Sequence, residues 1–340
     1  MPPSSRLRLP DLQLTNLQTP NLPTPNLPTP SLQALSIQTP SLQTITQLVG
    51  RQRWRIGLVH ERPQNMLLWI TQGAGHVLLD GQRHVLGAHT AVFVPARSLF
   101  SAQLEPDSVG IAVHLPEALP LRMPGMPRHL YITEAAVQNE LSALLSLATR
   151  EQTQNRPLCH DALEAHMALV SVWLRRQLAH EAHVPHPRCA GARLSQRFCQ
   201  LVPHRFQSGQ NVTDYASALG VTPTHLARSV KAATGKTASD ILTQRLLHAA
   251  RSLLADTQAP AYSIARHLGF GSAAYFTRFI QQHTGRSPSQ LRPQQKCASS
   301  PVRHHARIAD TPQIRRRVSQ KGADRPLAGI DHQGNLVPDR

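Results

Sequence analysis

The chain has 340 residues, 28 of them proline, with 4% aromatics and a formal net charge of +17. That length allows two ordinary domains with additional segments. Residues 51–190 carry 13 Lys/Arg against 11 Asp/Glu, whereas 195–292 carry 11 against 3 and 293–340 carry 9 against 4. A near-neutral part is therefore joined to a basic one suited to a polyanion. No apolar run reaches the roughly 18–20 residues of a membrane span, and no apolar h-region follows Met1, so neither a membrane helix nor a signal peptide is expected. Cys159, Cys189, Cys199 and Cys297 are widely spaced without a C-x-x-C. They read as buried thiols of a cytoplasmic protein, not as a disulfide framework or a zinc site.

Residues 16–45 repeat every five positions, NLQTP, NLPTP, NLPTP, SLQAL, SIQTP, SLQTI. A five-residue repeat with a central Leu resembles pentapeptide-repeat solenoids, whose backbone amides pair between coils. Pro23, Pro25, Pro28 and Pro30 remove such donors and fix φ near −65°, so polyproline-like disorder is expected instead.

Strand signals then follow closely. Met66–Ile70 is apolar and bounded by Gly73-Ala74-Gly75. His76–Leu79 meets Asp80-Gly81, a hairpin turn, and Gln82–Leu86 returns to Gly87. Thr90–Val94 ends at Pro95, and Val109–Leu115 gives a further strand. Short strands between Gly and Pro turns predict a sandwich or small barrel. The run LLWITQGAGHVLLDGQRHVLGAHTAVFVPA resembles the cupin-type jelly roll in its G-x-G, its D-G hairpin and its strand ending in Pro95. Metal-binding cupins present an H-x-H pair on one strand face; this sequence has none here, and His76, His84, His89 and His114 are scattered. No metal and no cofactor are expected. Trp69, His76 and His84 are the candidates for lining an organic-ligand cavity.

From Glu134 the period becomes helical. Val137, Leu141, Leu144, Leu145 and Ala148 form one stripe, and Leu163, His166, Met167, Val170, Trp173, Leu174 and Leu178 another. Each stripe packs either on the β-module or in a seam between two chains, and a homodimer is expected.

The strongest signal is an internal duplication. Thr234-Gly235-Lys236-Thr237 recurs as Thr284-Gly285-Arg286-Ser287, offset by fifty, and Thr222, Leu226 and Arg228 recur as Ser272, Phe276 and Arg278. Each unit reads as a helix-turn-helix. Ala216 or Ala265 permits close helix approach, and Gly220 or Gly269 takes the turn at positive φ. Thr222 or Ser272 caps the second helix, and Gly235 or Gly285 closes it. The string Gly235-Lys236-Thr237 is a helix end and not a P-loop, because position 230 is Val rather than Gly. One amphipathic helix over 239–255, roughly 25 Å long, separates the units. It could hold two recognition helices about one DNA turn apart, roughly 34 Å.

Residues 195–292 resemble the DNA-binding domain of AraC/XylS-type transcription regulators. The resemblance rests on A-x-x-L-G-V-[ST]-x-x-x-L-x-R in the first unit, R-L-x-x-A-x-x-x-L-L at 245–254, and I-A-x-x-x-G-F-x-S-x-x-Y-F-x-R…G-x-S-P at 264–288. Val230 and Ile280 stand where an aromatic is usual. The resemblance implies base reading from the early part of each second helix, at Thr224, Ala227 and Arg228, then Ala273, Ala274 and Arg278, with Ser272 also in the DNA-binding set. His225 and Lys231 are expected to approach phosphates. It also implies double-stranded DNA, a small-molecule effector and RNA polymerase as partners, and no enzymatic activity. The competing readings are a metal-dependent cupin enzyme tethered to DNA, and an architectural DNA-binding protein without a ligand.

The expected chain is multi-domain: a disordered Pro-rich segment at 1–50, a cupin-like all-β effector module at 51–120, a helical dimerisation linker at 121–190, an all-α double helix-turn-helix at 191–293, and a disordered basic tail at 294–340.

Overall fold

The structure, a computed structural model, describes residues 39–50, 52–179 and 189–292. The repeats before residue 39 and the basic tail lie outside them. Eight antiparallel strands form two sheets: β1 Ser41–Thr44, β2 Asn65–Gln72, β3 Gly75–Leu79, β4 Gln82–Leu86, β5 Thr90–Val94, β6 Phe100–Leu104, β7 Val109–Leu115 and β8 Arg128–Tyr131. The five-stranded sheet has the order β1-β7-β2-β5-β8, and the three-stranded sheet β4-β3-β6. The β3–β4 hairpin turns at Asp80 and Gly81, both with positive φ (50° and 72°), as its D-G sequence requires.

The apolar run of β2 is explained by burial on both faces. Met66, Leu68 and Ile70 point between the sheets, against Val77, Leu79 and Phe100. Leu67 and Trp69 point the other way, into a second core closed by two helices, α3 Ala135–Gln154 and α4 Cys159–Ala179. That second core absorbs the two stripes which predicted a seam between chains. Leu141, Leu145, Ala148, Leu163, Met167, Val170, Trp173 and Leu174 are buried against the sheet of their own chain. Helical periodicity shows that a face is covered but not by what, and here intrachain packing takes the face a dimer was expected to use.

The expected boundary at residue 50 also moves. The last repeat, Ser41–Ile45, is not a free segment. It supplies β1, paired with β7, and opens the short helix Ile45–Val49 (α1). Leu42 enters one core and Ile45 the other. Unlike the Pro-bearing repeats, this one ends in Ile, so nothing interrupts the strand or the capped helix after it. A second short helix, Trp54–Gly57 (α2), lies beside β6.

The remaining helices share one core: α5 Ala190–Arg205, α6 Val212–Ala218, α7 Pro223–Thr234, α8 Ala238–Asp256, α9 Ala261–His267, α10 Ala273–Thr284 and α11 Pro288–Leu291. Val59, Leu78 and Leu99 of the β-module join that core. At the same contact Ser195 donates from Oγ to the Gly81 carbonyl at 2.7 Å, and Gln196 donates to Asp80 at 3.1 Å. A Cβ on Gly81 would stand 2.6 Å from the Gln196 backbone, so α5 approaches only because that position is glycine. Cys159 and Cys199 are buried thiols as expected, whereas Cys189 is exposed.

Candidate nucleic-acid interface

Each half of the duplication folds as its sequence dictates. In the first, Asn211 and Asp214 make a reciprocal capping box at the start of α6, and Leu219-Gly220 turns the chain. Thr222 Oγ1 then accepts from the His225 amide at 3.2 Å, with Pro223 at the first helical position. In the second, Ser272 Oγ accepts from the Tyr275 amide at 3.1 Å. Gly235 and Gly285 end α7 and α10 in the left-handed region (φ 73° and 68°).

Leu226 and Val230 of α7, and Phe276 and Ile280 of α10, are fully buried. The opposite faces are therefore fixed toward solvent. Thr224, His225, Ala227, Arg228 and Lys231 are exposed on α7, and Ser272, Ala273, Ala274 and Arg278 on α10. The docked β-module leaves both faces open. Lys231 turns back at its tip, its Nζ donating to the Gly235 carbonyl at 2.7 Å, so it neutralises the negative end of α7 before it meets any phosphate. Arg228 and Arg278 have no ion pair among the described residues.

The three acidic residues of 195–292 are all engaged elsewhere. Asp214 and Asp240 accept backbone amides in capping boxes, and Asp256 pairs with Arg55 at 2.7 Å. The exposed cations on α7 and α10 thus face solvent without nearby compensation, the arrangement a phosphate backbone rewards. Sequence reasoning passed over Tyr275. It is 43% exposed beside Ser272, with its ring against Phe270 at 5.8 Å. An aromatic inside the expected reading stretch was the available signal.

Helix α8 joins the units, and its 19 residues span about 28 Å. Its apolar stripe contains Arg245, which is buried, stacks over Phe206 at 3.7 Å and pairs with Glu61 of the β-module.

The three residues expected around a ligand do not converge. Trp69 lies in the core under α3 and α4, with its Nε1 donating to Ser142 at 3.0 Å. His84 stacks on His129 of β8 at 4.9 Å. His76 stands on the other side of its sheet, since His76 pairs with Val85 and Val77 with His84. There it lines a recess of about 130 Å³ with Leu78, Arg83, Ser101 and Gln103, closed by Thr234, Gly235 and Lys236 at the end of α7. Burial holds the Lys236 ammonium below its usual range; Arg83 pushes the same way and Asp240 opposes it. Among the described residues no three His, Cys, Asp or Glu side chains come together to hold a metal, and no helix is long and apolar enough to cross a membrane.

Residues 215–294 match the family described as "Helix-turn-helix domain". No curated protein matches the chain. Among solved structures, the C-terminal domain of AraT, a response regulator from Geobacillus stearothermophilus, is 26% identical. It covers 33% of this chain and 94% of its own, with a TM-score of 0.29. An AraC-type DNA-binding regulator from Chromobacterium violaceum is 24% identical over 28% of this chain and 90% of its own, with a TM-score of 0.25. ToxT from Vibrio cholerae, bound to an unsaturated fatty acid, is 14% identical over 74% of this chain and 94% of its own, at 0.35. The matched segment, with its two capped and glycine-closed second helices, is a helix-turn-helix domain.

Proposed function

We propose that this protein is a sequence-specific, DNA-binding transcription regulator controlled by a small-molecule effector. One observation carries the reading: two equivalent cationic helix faces stand open on a single shared core, while every carboxylate of that domain is engaged elsewhere. Arg228 and Arg278 read base edges, Thr224, Ala227, Ser272, Ala273 and Ala274 meet the groove around them, and His225 and Lys231 meet phosphates. Selection of bound duplexes from a random pool should return two half-sites about one helical turn apart; a pool that returns no preferred sequence supports the architectural reading instead.

For the effector we propose a small carboxylate in the recess between β3–β6 and the end of α7. The interior between the sheets is filled by apolar side chains, whereas the recess sets Arg83 and Lys236 of opposite modules near one another. An anion between them would relieve that repulsion and bridge the modules. Benzoate or butyrate at about ten times its dissociation constant should stabilise the protein by about 1.4 kcal/mol. R83Q should abolish that gain in a thermal melt; an equal gain in R83Q removes the site.

The reading includes a homodimer. With the inner stripes used within the chain, the seam falls on the outer faces of α3 and α4, where Leu147 and Leu169 are about half exposed. Sedimentation at micromolar concentration should show a dimer that L147E/L169E dissociates, and a strictly monomeric parent removes this part of the proposal.

A further inference from the structure

The two modules also meet through a stacked pair of imidazoles. His60 belongs to the β-module, where its backbone bridges Phe100 of β6 in both directions at 2.9 Å. His248 belongs to α8. Their rings lie 4.3 Å apart and 11° from parallel, and Trp54 of α2 stands 5.5 Å from His248.

Hydrogen bonding fixes the protonation of His60. Its Nδ1 faces the Leu58 carbonyl at 2.8 Å and must donate, while its Nε2 faces the Arg62 Nε–H at 3.3 Å and must accept. That is the neutral ring; a second proton on Nε2 would point at a donor. His248 uses Nε2 to donate to the Arg55 carbonyl at 3.1 Å.

The surroundings are cationic. Arg62 is close to both rings, and burial lowers its own pKa to about 10. Arg245 reaches in from α8, paired with Glu61, and Arg55 from α2, paired with Asp256. Arg251 covers the Trp54 ring at 4.4 Å. Four arginines thus face two carboxylates, and both carboxylates are already bound. His114, further along and hydrogen-bonded to Gln43, also feels Arg62.

We infer that the His60–His248 stack is a pH-responsive latch that holds α8, and with it the DNA-binding domain, against the β-module until acidification releases it. Two protonated rings cannot stay face to face at this separation beside four arginines that two carboxylates only partly offset. The burial that the contact imposes, aided by the neighbouring charges, holds His60 well below the usual imidazole range and His248 at about 3. A released His248 returns to roughly 6.5. The docked state is therefore fully stable above that value and loses stability as pH falls below it, down to the docked pKa. Between pH 7.5 and 5.5 the released-to-docked ratio rises about tenfold for each imidazole freed. The latch needs no effector, since the recess that the anion would occupy is lined by neither His60 nor His248.

The test uses the full chain with dyes on cysteines replacing the exposed Asp107 and Ser289, and with Cys189 and Cys297 changed to serine. Separation of the modules is read as lost energy transfer, with far-ultraviolet circular dichroism unchanged. The parent should lose transfer between pH 7.5 and 5.5. H248Q keeps a donor for the Arg55 carbonyl but cannot titrate, so its response should be about tenfold smaller than the parent's, leaving only the part due to His60. H248K carries a permanent charge and should be released already at pH 7.5, whereas a parent that keeps full transfer down to pH 5.5 overturns the latch. The proposal is overturned if H248K remains docked at pH 7.5, or if H248Q reproduces the full pH response of the parent.

Discussion

Arg228→Ala and Arg278→Ala should each weaken binding to the preferred DNA site by about 1–3 kcal/mol, roughly fivefold to more than a hundredfold, and relax sequence preference at one position. The expectation follows from where the structure puts them. Both are exposed on the face opposite a buried Leu226/Val230 or Phe276/Ile280 pair, and neither makes an ion pair among the described residues. Removing either therefore leaves no intramolecular partner stranded, and folding should be nearly unaffected. Lys231→Ala should behave differently. It should weaken all sequences alike and lower the salt slope by about one. It should also slightly loosen the end of α7, because the Gly235 carbonyl loses its donor. Fluorescence anisotropy against preferred and scrambled duplexes at several salt concentrations separates these outcomes. If both arginine variants keep the full preference, those residues do not read bases.

A large stability effect should come from a glycine whose twin is tolerant. Gly220 and Gly269 occupy the same turn of the two units, with φ of 71° and 77°. Alanine at either meets the left-handed penalty of about 1–2 kcal/mol. Around Gly220 nothing lies within 4 Å of an added Cβ, so G220A should cost only that. At Gly269 the Cβ would stand 2.3 Å from the Gln207 carbonyl oxygen and 3.0 Å from the Gly209 amide, where the second unit seats on the first. Backbone must move, so G269A should cost about 3 kcal/mol or more. Urea denaturation of the two variants measures the difference directly. Equal losses would mean that the units do not pack through this turn.

How much of this was legible beforehand depended on how local the signal was. The helix-turn-helix units could be read because caps, turn glycines and C-terminal glycines act within a few residues, and the duplication exposed them twice. Five of the eight strands were bounded by Gly or Pro. Strand β6, Phe100–Leu104, lacks β-branched residues, and β8, Arg128–Tyr131, is short and half polar, so neither announced itself. Strand β1 was hidden inside a repeat in which four of the other five copies carry proline. The helical stripes of α3 and α4 announced burial correctly but not the sheet that covers them.

The residues of the candidate ligand set lie apart for the same reason. Alternation placed His76 and His84 on opposite faces of one hairpin, but no local pattern says which face a helix will later cover. The module contact is the extreme case. Arg245 and Glu61 are 184 positions apart, and a lone arginine in an apolar stripe gives no hint of its partner.

DNA binding by the full-length protein to duplexes selected from a random pool, followed across salt concentration, tests the central claim most directly. The account predicts a preferred site with two half-sites about one turn apart. Its affinity should fall steeply with salt as counterions are released, and discrimination should be lost when Arg228 and Arg278 are both alanine. A folded, full-length protein that binds no duplex DNA, or binds every duplex alike with both arginines in place, would contradict it.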